Sequence, residues 1–113
     1  MANDDFDNPL SHPGFEIRHE LNDSRFVAVE GEDVVGMLTY ERTGDRVSLL
    51  HTVTDPGHRS EGIASALVRT AFTDARAASM RVVVICPFVE SWLARHPEQE
   101  DIVVDEGVGG DRS

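Results

Sequence analysis

The chain of 113 residues contains no lysine and only one cysteine, and both scarcities limit what it can be. All ten basic residues are arginine, against 21 aspartates and glutamates, so the formal net charge is −11. A single cysteine excludes an internal disulfide framework and fits a reducing compartment.

Long apolar runs and basic clusters are also absent. No run approaches the roughly 20 apolar residues that span a bilayer, and the acidic N-terminus does not resemble a signal peptide. The sequence therefore predicts a cytoplasmic protein with no membrane partner. The excess of acidic residues argues against a nucleic acid partner, because a protein that binds a phosphate backbone needs basic patches. It suits a cationic or amine-bearing partner, or it serves solubility alone, and both interpretations stay open.

Turn residues divide the chain into regular elements within one domain. We expect flexible tails at 1–13 and 105–113, on either side of a domain at 14–104. Alternating apolar residues predict four strands, and the short turns between them predict an antiparallel meander. The strands are expected at Phe15–Leu21, Arg25–Glu30, Val34–Arg42 and Arg46–Val53.

A strand, a tight turn and a long amphipathic helix form the central stretch. Asp55–Gly57 ends the fourth strand, and apolar residues at helical spacing then run through Ile63–Ala78. The turn between them carries Arg59-x-x-Gly62-x-Ala64. Small residues at a helix start let an anion reach free N–H groups, and an arginine adds donors for phosphate oxygens. An ordinary strand–helix connection uses the same glycine, so phosphate binding is one of two interpretations.

A further strand and a short helix follow. Arg81–Cys86 is a continuous β-branched run, typical of a strand buried on both faces. The strand–helix–strand order predicts a right-handed crossover, which places this strand parallel to the fourth. Ligands bind at the carboxyl ends of such strands, so we expect His51–Val53 and Cys86 to face one another across one cleft. A short helix at Pro87–His96 and an edge strand at Ile102–Val104 complete the prediction.

Several motifs in this order resemble the short, stand-alone members of the GNAT superfamily of N-acetyltransferases. They are His51-Thr52, the loop Arg59-x-x-Gly62-x-Ala64, Cys86-Pro87-Phe88-Val89 and Arg95-His96-Pro97-Glu98. The resemblance implies a minimal GNAT-like α/β (α+β) fold, with an antiparallel four-strand meander, a crossover helix, a parallel central strand and a short C-terminal helix. It also implies acetyl-CoA as cosubstrate, without a metal, and an unknown amine acceptor, either a small molecule or a protein.

The resemblance further implies which residues bind coenzyme A. In that superfamily the strand before the loop binds the pantetheine arm, and N–H groups of the loop bind the pyrophosphate. Carried over to this chain, the implied contacts are Val53, His58, Arg59, Ser60, Glu61, Gly62, Ile63, Ala64 and Phe88.

The chain departs from the superfamily at its usual proton donor. Relatives often have a tyrosine on the helix after the parallel strand, where this chain has Trp92, and an indole cannot protonate a thiolate. The sole tyrosine, Tyr40, lies in the predicted meander. Ser91, Cys86 and water remain as candidates for the acid.

Cys86 and His51 are the predicted catalytic residues. A thiolate beside a helix N-terminus is stabilised, so Cys86 can accept an acetyl group with His51 as base; alternatively, it is a small residue that lines the pocket. His51 is either a general base or a hydrogen-bonded strand histidine. The other histidines show no ligand spacing with Cys86, so we predict no metal site. Two other functions stay open, a coenzyme A-binding module with little catalysis and a Cys–His acyl-CoA thioesterase.

Overall fold

The computed structural model describes residues 11–12, 14–57 and 62–104 of the chain. Two α-helices lie in these ranges, α1 (Ile63–Ala77) and α2 (Pro87–Arg95). No helix of this part of the chain is both long and apolar enough to cross a bilayer. Short 3₁₀ turns occupy Leu21–Asp23 and Pro97–Ile102. The strands are β1 (Ser11–His12), β2 (Phe15–Glu20), β3 (Arg25–Glu30), β4 (Asp33–Thr43), β5 (Arg46–Thr54), β6 (Arg81–Val84) and β7 (Val103–Val104).

The seven strands form one sheet in sequence order. Neighbours are antiparallel from β1 to β5, whereas β5, β6 and β7 are mutually parallel. The predicted mixed α/β architecture is confirmed, because a meander leads through the crossover helix α1 to the parallel strand β6. β6 lies between β5 and β7, as its β-branched run predicted for a central strand.

Most predicted boundaries agree with the observed ones to within one residue, and two predictions differ by more. Ser11–His12 pairs with β2, although both residues fall within the tail predicted at 1–13. β6 ends at Val84 rather than Cys86, because Cys86 already serves as the N-cap of α2. Residues 1–10, 13 and 105–113, the rest of the two predicted tails, lie outside the described residues.

Both helices pack on one face of the sheet. The apolar stripe of α1 is buried, whereas its charged residues are exposed, as expected for an amphipathic helix. α2 joins the same core through Trp92, whose ring centroid lies 5.2 Å from that of Phe72 on α1. Pro87 begins α2, because a proline at the first helical position loses no hydrogen bond. The hydrophobic core therefore lies between this face of the sheet and the two helices.

Close packing of α1 on the sheet requires a glycine in β4. A Cβ at Gly36 would lie 2.6 Å from Cγ2 of Ile63 and 3.2 Å from Cδ1 of Leu67. Both side chains are fully buried on α1. Gly36 pairs with Thr54 at the end of β5. The glycine therefore sets how closely the start of α1 approaches the end of β5.

A β-bulge divides β5. Thr39 and Tyr40 are adjacent on β4 but pair with His51 and Leu49, which leaves Leu50 as an extra residue. An extra residue reverses the face of the sheet to which all the following side chains point.

Beyond the bulge, Thr52 and Thr54 face the helices. Thr54 pairs with Gly36, which lies directly under α1. Alternation along the strand sends His51 and Val53 to the opposite face, where both are exposed. We call the side of β4 and β5 that carries His51 and Val53 the open face.

A partly buried polar pair links β2 to β4 on the helix side. Nε2 of His19 lies 2.6 Å from the hydroxyl of Tyr40, and the imidazole stacks on Phe26 with ring centroids 4.1 Å apart. Burial lowers the pKa of His19, an effect that Asp74 opposes and Arg42 reinforces. Burial likewise raises the pKa of Tyr40. The pair is thus held in its neutral form inside the fold.

We expect Gly36→Ala to lower the free energy of unfolding by about 1 to 3 kcal/mol, the usual cost of an extra methyl in a packed core. Urea unfolding measures this loss. Ile63→Ala removes the Cγ2 atom that the new methyl would meet, so Gly36→Ala should cost less in that background. An equal cost in both backgrounds would contradict the steric explanation.

We also expect the fold to lose stability as the pH falls from about 7 towards 5, because of His19. The pKa of His19 is lower in the folded chain than its ordinary value of 6.5. The unfolded state therefore takes up the proton first, and stability falls with pH through this range. Urea unfolding across the range should show a weaker pH dependence for His19→Gln than for the wild type. His51→Gln is the control, and an equal weakening there would refute the assignment.

Candidate functional site

The two central strands separate beyond the bulge and leave a cleft. The pairing of β5 with β6 ends at Leu49 and Val84. The N–H groups of Ile85 and Cys86 both donate to the Leu49 carbonyl at 3.1 Å, which anchors the point of separation. From there β5 continues along β4 alone. A cavity of about 410 Å³ opens between the end of β5 and the first turns of α1 and α2, lined by Thr52, Val53, Thr54, Ala64 and Phe88.

The edge of β5 directs backbone polar groups into this cleft. The Asp55 N–H donates to the Val35 carbonyl of β4 at 2.9 Å. Alternate residues of an antiparallel strand point their N–H and C=O groups to the same side. The backbone groups of Thr52 and Thr54 therefore point away from β4, towards the cleft. An extended chain of amides can pair with such an edge as another strand would.

The first turn of α1 borders the same cleft. Gly62 precedes the helix at φ +75°, a left-handed conformation that favours glycine, and nothing lies within 4 Å of the position of a Cβ there. Glycine has no side chain to occupy the first N–H groups of the helix, and the helix dipole favours an anion beside them. Ile63 is fully buried against the sheet, whereas Ala64 lines the cavity. The other predicted loop residues, His58, Arg59, Ser60 and Glu61, lie outside the described residues.

Cys86 stands at the N-terminus of α2, with its side chain turned into the protein. It is only 4% exposed, and its Sγ lies 3.4 Å from Oγ1 of Thr52. Thr52 lines the 410 Å³ cavity, whereas Cys86 is not among the lining residues. The thiol therefore contacts Thr52 from the protein interior, on the side away from the cleft.

His51 lies on the other face of β5. Its side chain is exposed on the open face, whereas the neighbouring Thr52 turns towards the helices and contacts Cys86. The strand ends bring Thr52 and Cys86 together across the cleft, as topology predicted for 51–53 and Cys86. They do not bring the His51 imidazole to the thiol.

Neither Tyr40 nor Trp92 lines the cleft. Tyr40 is buried beside β2, and Trp92 is fully buried between the two helices. Ser91 is exposed on α2. Within the described ranges, the side-chain hydroxyls that line the cavity are those of Thr52 and Thr54.

No cluster suitable for a metal ion is found in the part of the chain that the structure describes. No three histidine, cysteine, aspartate or glutamate side chains converge there.

A second, apolar groove lies beside the cleft, between the start of β4 and the end of β5. Its volume is about 290 Å³. Val53 and Thr54 line both this groove and the larger cavity, so the two spaces adjoin. The residues around the groove are Val34, Val35, Gly36, Met37, Val53, Thr54, Asp55 and Pro56.

Sequence reasoning placed Thr52 at the cleft only as part of 51–53, and it missed Thr54. Simple alternation from Val47 groups His51 with the buried face, and only the extra residue Leu50 reverses that pattern. The bulge depends on pairing with β4, and no local pattern in β5 marks it.

Comparison with known proteins identifies the family. A family model described as GCN5-related N-acetyl-transferase matches residues 25–102, which extend from β3 to the turn before β7. No curated protein matches. The NMR solution structure of a "GCN5-like putative N-acetyltransferase" from Staphylococcus aureus is similar, with a TM-score of 0.65 and 16% identity over 90% of this chain and 100% of that one. At this identity the similarity shows the fold alone. Since the family model spans more than half of the sequence, the chain belongs to the GCN5-related N-acetyltransferase family.

Proposed function

We propose that this chain binds acetyl-CoA in the cleft between β5 and β6 and transfers the acetyl group to an amine. The observation that carries the proposal is the 410 Å³ cavity, where an unpaired strand edge, a glycine-led helix start and an aromatic side chain meet. Acetyl-CoA supplies the acetyl group as a thioester when bound. Each part of it has a suitable partner in this cleft.

The cleft suits the three chemical parts of coenzyme A. Backbone groups of Thr52 and Thr54 suit the two amides of the pantetheine arm, which would pair with β5 like an added strand. Val53 and Phe88 offer apolar surface beside it. The start of α1 suits the pyrophosphate, because dipole and N–H groups act together there. We assign this anion to N–H groups of Gly62, Ile63 and Ala64, completed by the loop residues His58, Arg59, Ser60 and Glu61.

The proposed reaction is direct transfer. The nitrogen of a neutral amine attacks the thioester carbonyl carbon, the C–N bond forms, and the C–S bond breaks. An alkyl ammonium has a pKa near 10, so a base must remove its proton before attack. We assign that role to His51 on the open face. The departing thiolate is the conjugate base of a thiol, and a thiol such as that of cysteine has a pKa of about 8.5. A proton from water therefore suffices in place of one from a tyrosine.

The geometry favours direct transfer over a Cys–His route. A thioesterase or an acetyl-cysteine intermediate needs a base at hydrogen-bond distance from the thiol. The contact of Cys86 is Thr52, and His51 lies on the opposite face. We therefore assign Cys86 a structural role, in which its thiol contacts Thr52 and takes no part in the reaction. A binding module without catalysis stays the second candidate, and amine turnover distinguishes the two.

We expect coenzyme A to bind to the wild type in calorimetric titration, and Gly62→Ala to raise its Kd about tenfold or more. The new methyl would stand where the phosphates approach, and losing about 1.4 kcal/mol of binding corresponds to tenfold.

Gly44→Ala is the matched control. Gly44 also has positive φ (+62°) with nothing within 4 Å of a Cβ, but it lies in the turn between β4 and β5. The backbone strain is comparable, so only Gly62→Ala should affect the Kd. Equal effects in both variants would refute the anion site, and no binding to the wild type would overturn the proposed function.

We expect Cys86→Ser to keep acetyl transfer within about tenfold of the wild type, because serine preserves the contact with Thr52 and direct transfer needs no thiol. Intact-protein mass spectrometry after mixing the wild type with acetyl-CoA should show no hydroxylamine-labile adduct. An adduct on Cys86, together with loss of turnover in Cys86→Ser, would instead establish the covalent route. Thermal unfolding of the variant controls for folding.

A further inference from the structure

The apolar groove adjoins the place where the acetyl group would be delivered. Val53 and Thr54 form the wall between the groove and the cleft, since both residues line both spaces. His51 lies two residues before Val53 on the same face of β5, about 7 Å away at the usual strand rise. A molecule in the groove would therefore have the proposed base and the thioester at one end.

Exposed apolar side chains concentrate at this end of the sheet. In the described chain four large apolar residues stand exposed, and two of them line the groove. Val34 is 54% exposed and Val53 is 61% exposed, and both line the groove. Ile85, at 42%, follows β6 directly before the cleft. A single exposed apolar residue needs no explanation, but a cluster beside a cavity marks a binding surface.

Charge at the groove favours a cationic ligand. Among the described residues that line it, the ionisable one is Asp55, which is exposed at the end of β5. The formal net charge of −11 adds a long-range attraction for cations. The groove thus combines apolar walls with a negative field, which suits an amine that carries a hydrocarbon body.

We propose that this groove binds the acceptor, and that the acceptor is a small primary amine with an alkyl or aryl body. The inference rests on the proposed function. The hydrocarbon body lies against Val34, Met37 and Val53, and the amine nitrogen points towards the cleft. Loss of the ammonium proton to His51 leaves the nitrogen lone pair for attack on the thioester carbon, and a C–N bond replaces the C–S bond. The nitrogen gives its second proton to water, and water returns a proton to the departing thiolate, which leaves as free coenzyme A.

The test is a series of straight-chain amines from ethylamine to hexylamine, with acetyl-CoA saturating and coenzyme A release measured. We expect kcat/KM to rise about three- to fourfold for each added methylene until the groove is filled, the gain typical of burying one such group. Spermidine, which is cationic but has a charge at both ends, should be a poorer acceptor than hexylamine. A flat series, or a preference for spermidine, would overturn the inference.

Variants at Val34 test whether the dependence on amine chain length arises in the groove, because Val34 lines the groove but not the cleft. Val34→Thr keeps the β-branched shape and should lower kcat/KM several-fold more for hexylamine than for ethylamine, with the Kd of coenzyme A unchanged. Val34→Phe narrows the groove and should shift the optimum to shorter amines. Leu21→Thr is the control, since Leu21 is 60% exposed in the turn between β2 and β3. An unchanged chain-length profile in both Val34 variants would refute the groove as the acceptor site.

Two failures are distinguishable. If coenzyme A does not bind, the proposed function falls and the acceptor inference falls with it. If coenzyme A binds but no alkylamine is acetylated, only the acceptor inference is refuted.

Discussion

The site depends on how the backbone of β5 is paired. One side of this strand pairs with β4 along most of its length, whereas the other side pairs with β6 only as far as Leu49. Backbone N–H and C=O groups need partners, and an unpaired strand edge is usually covered or blunted. Here the edge lines a cavity instead. The separation of two strands therefore creates both the space for a ligand and the hydrogen-bonding groups to hold it.

The bulge at Leu50 determines which face of the sheet each following side chain of β5 points to. Without the extra residue, His51 would turn towards the helices and Thr52 would point away from them. With it, Thr52 contacts Cys86 on the helix side and His51 stands on the open face. Under the proposed function, this arrangement lets the thioester and the amine approach the same cleft from different sides. It also explains why a cysteine and a histidine that look like a pair in sequence act separately.

Local patterns in the sequence predict most of the fold but little of the side-chain arrangement around the site. Alternation and turn residues locate β3 without error, and the helical spacing from Ile63 locates the start of α1. Side-chain directions beyond Leu50 depend on register with β4, which no local pattern encodes. Asp101 shows the same limit. It is exposed, but it forms a bidentate ion pair with Arg76 of α1, at 2.8 and 2.9 Å, and the two residues are 25 positions apart in the chain.

The absence of lysine is consistent with a cleft of this kind. An acyl donor held beside an open face can react with any neutral amine that reaches it. Arginine stays protonated and is a poor nucleophile at neutral pH, whereas a lysine amine can lose its proton. With ten arginines and no lysine, the chain carries positive charge without side-chain amines that would compete with the acceptor. The composition and the open cleft are therefore both consistent with the proposed function, in which the amine comes from another molecule.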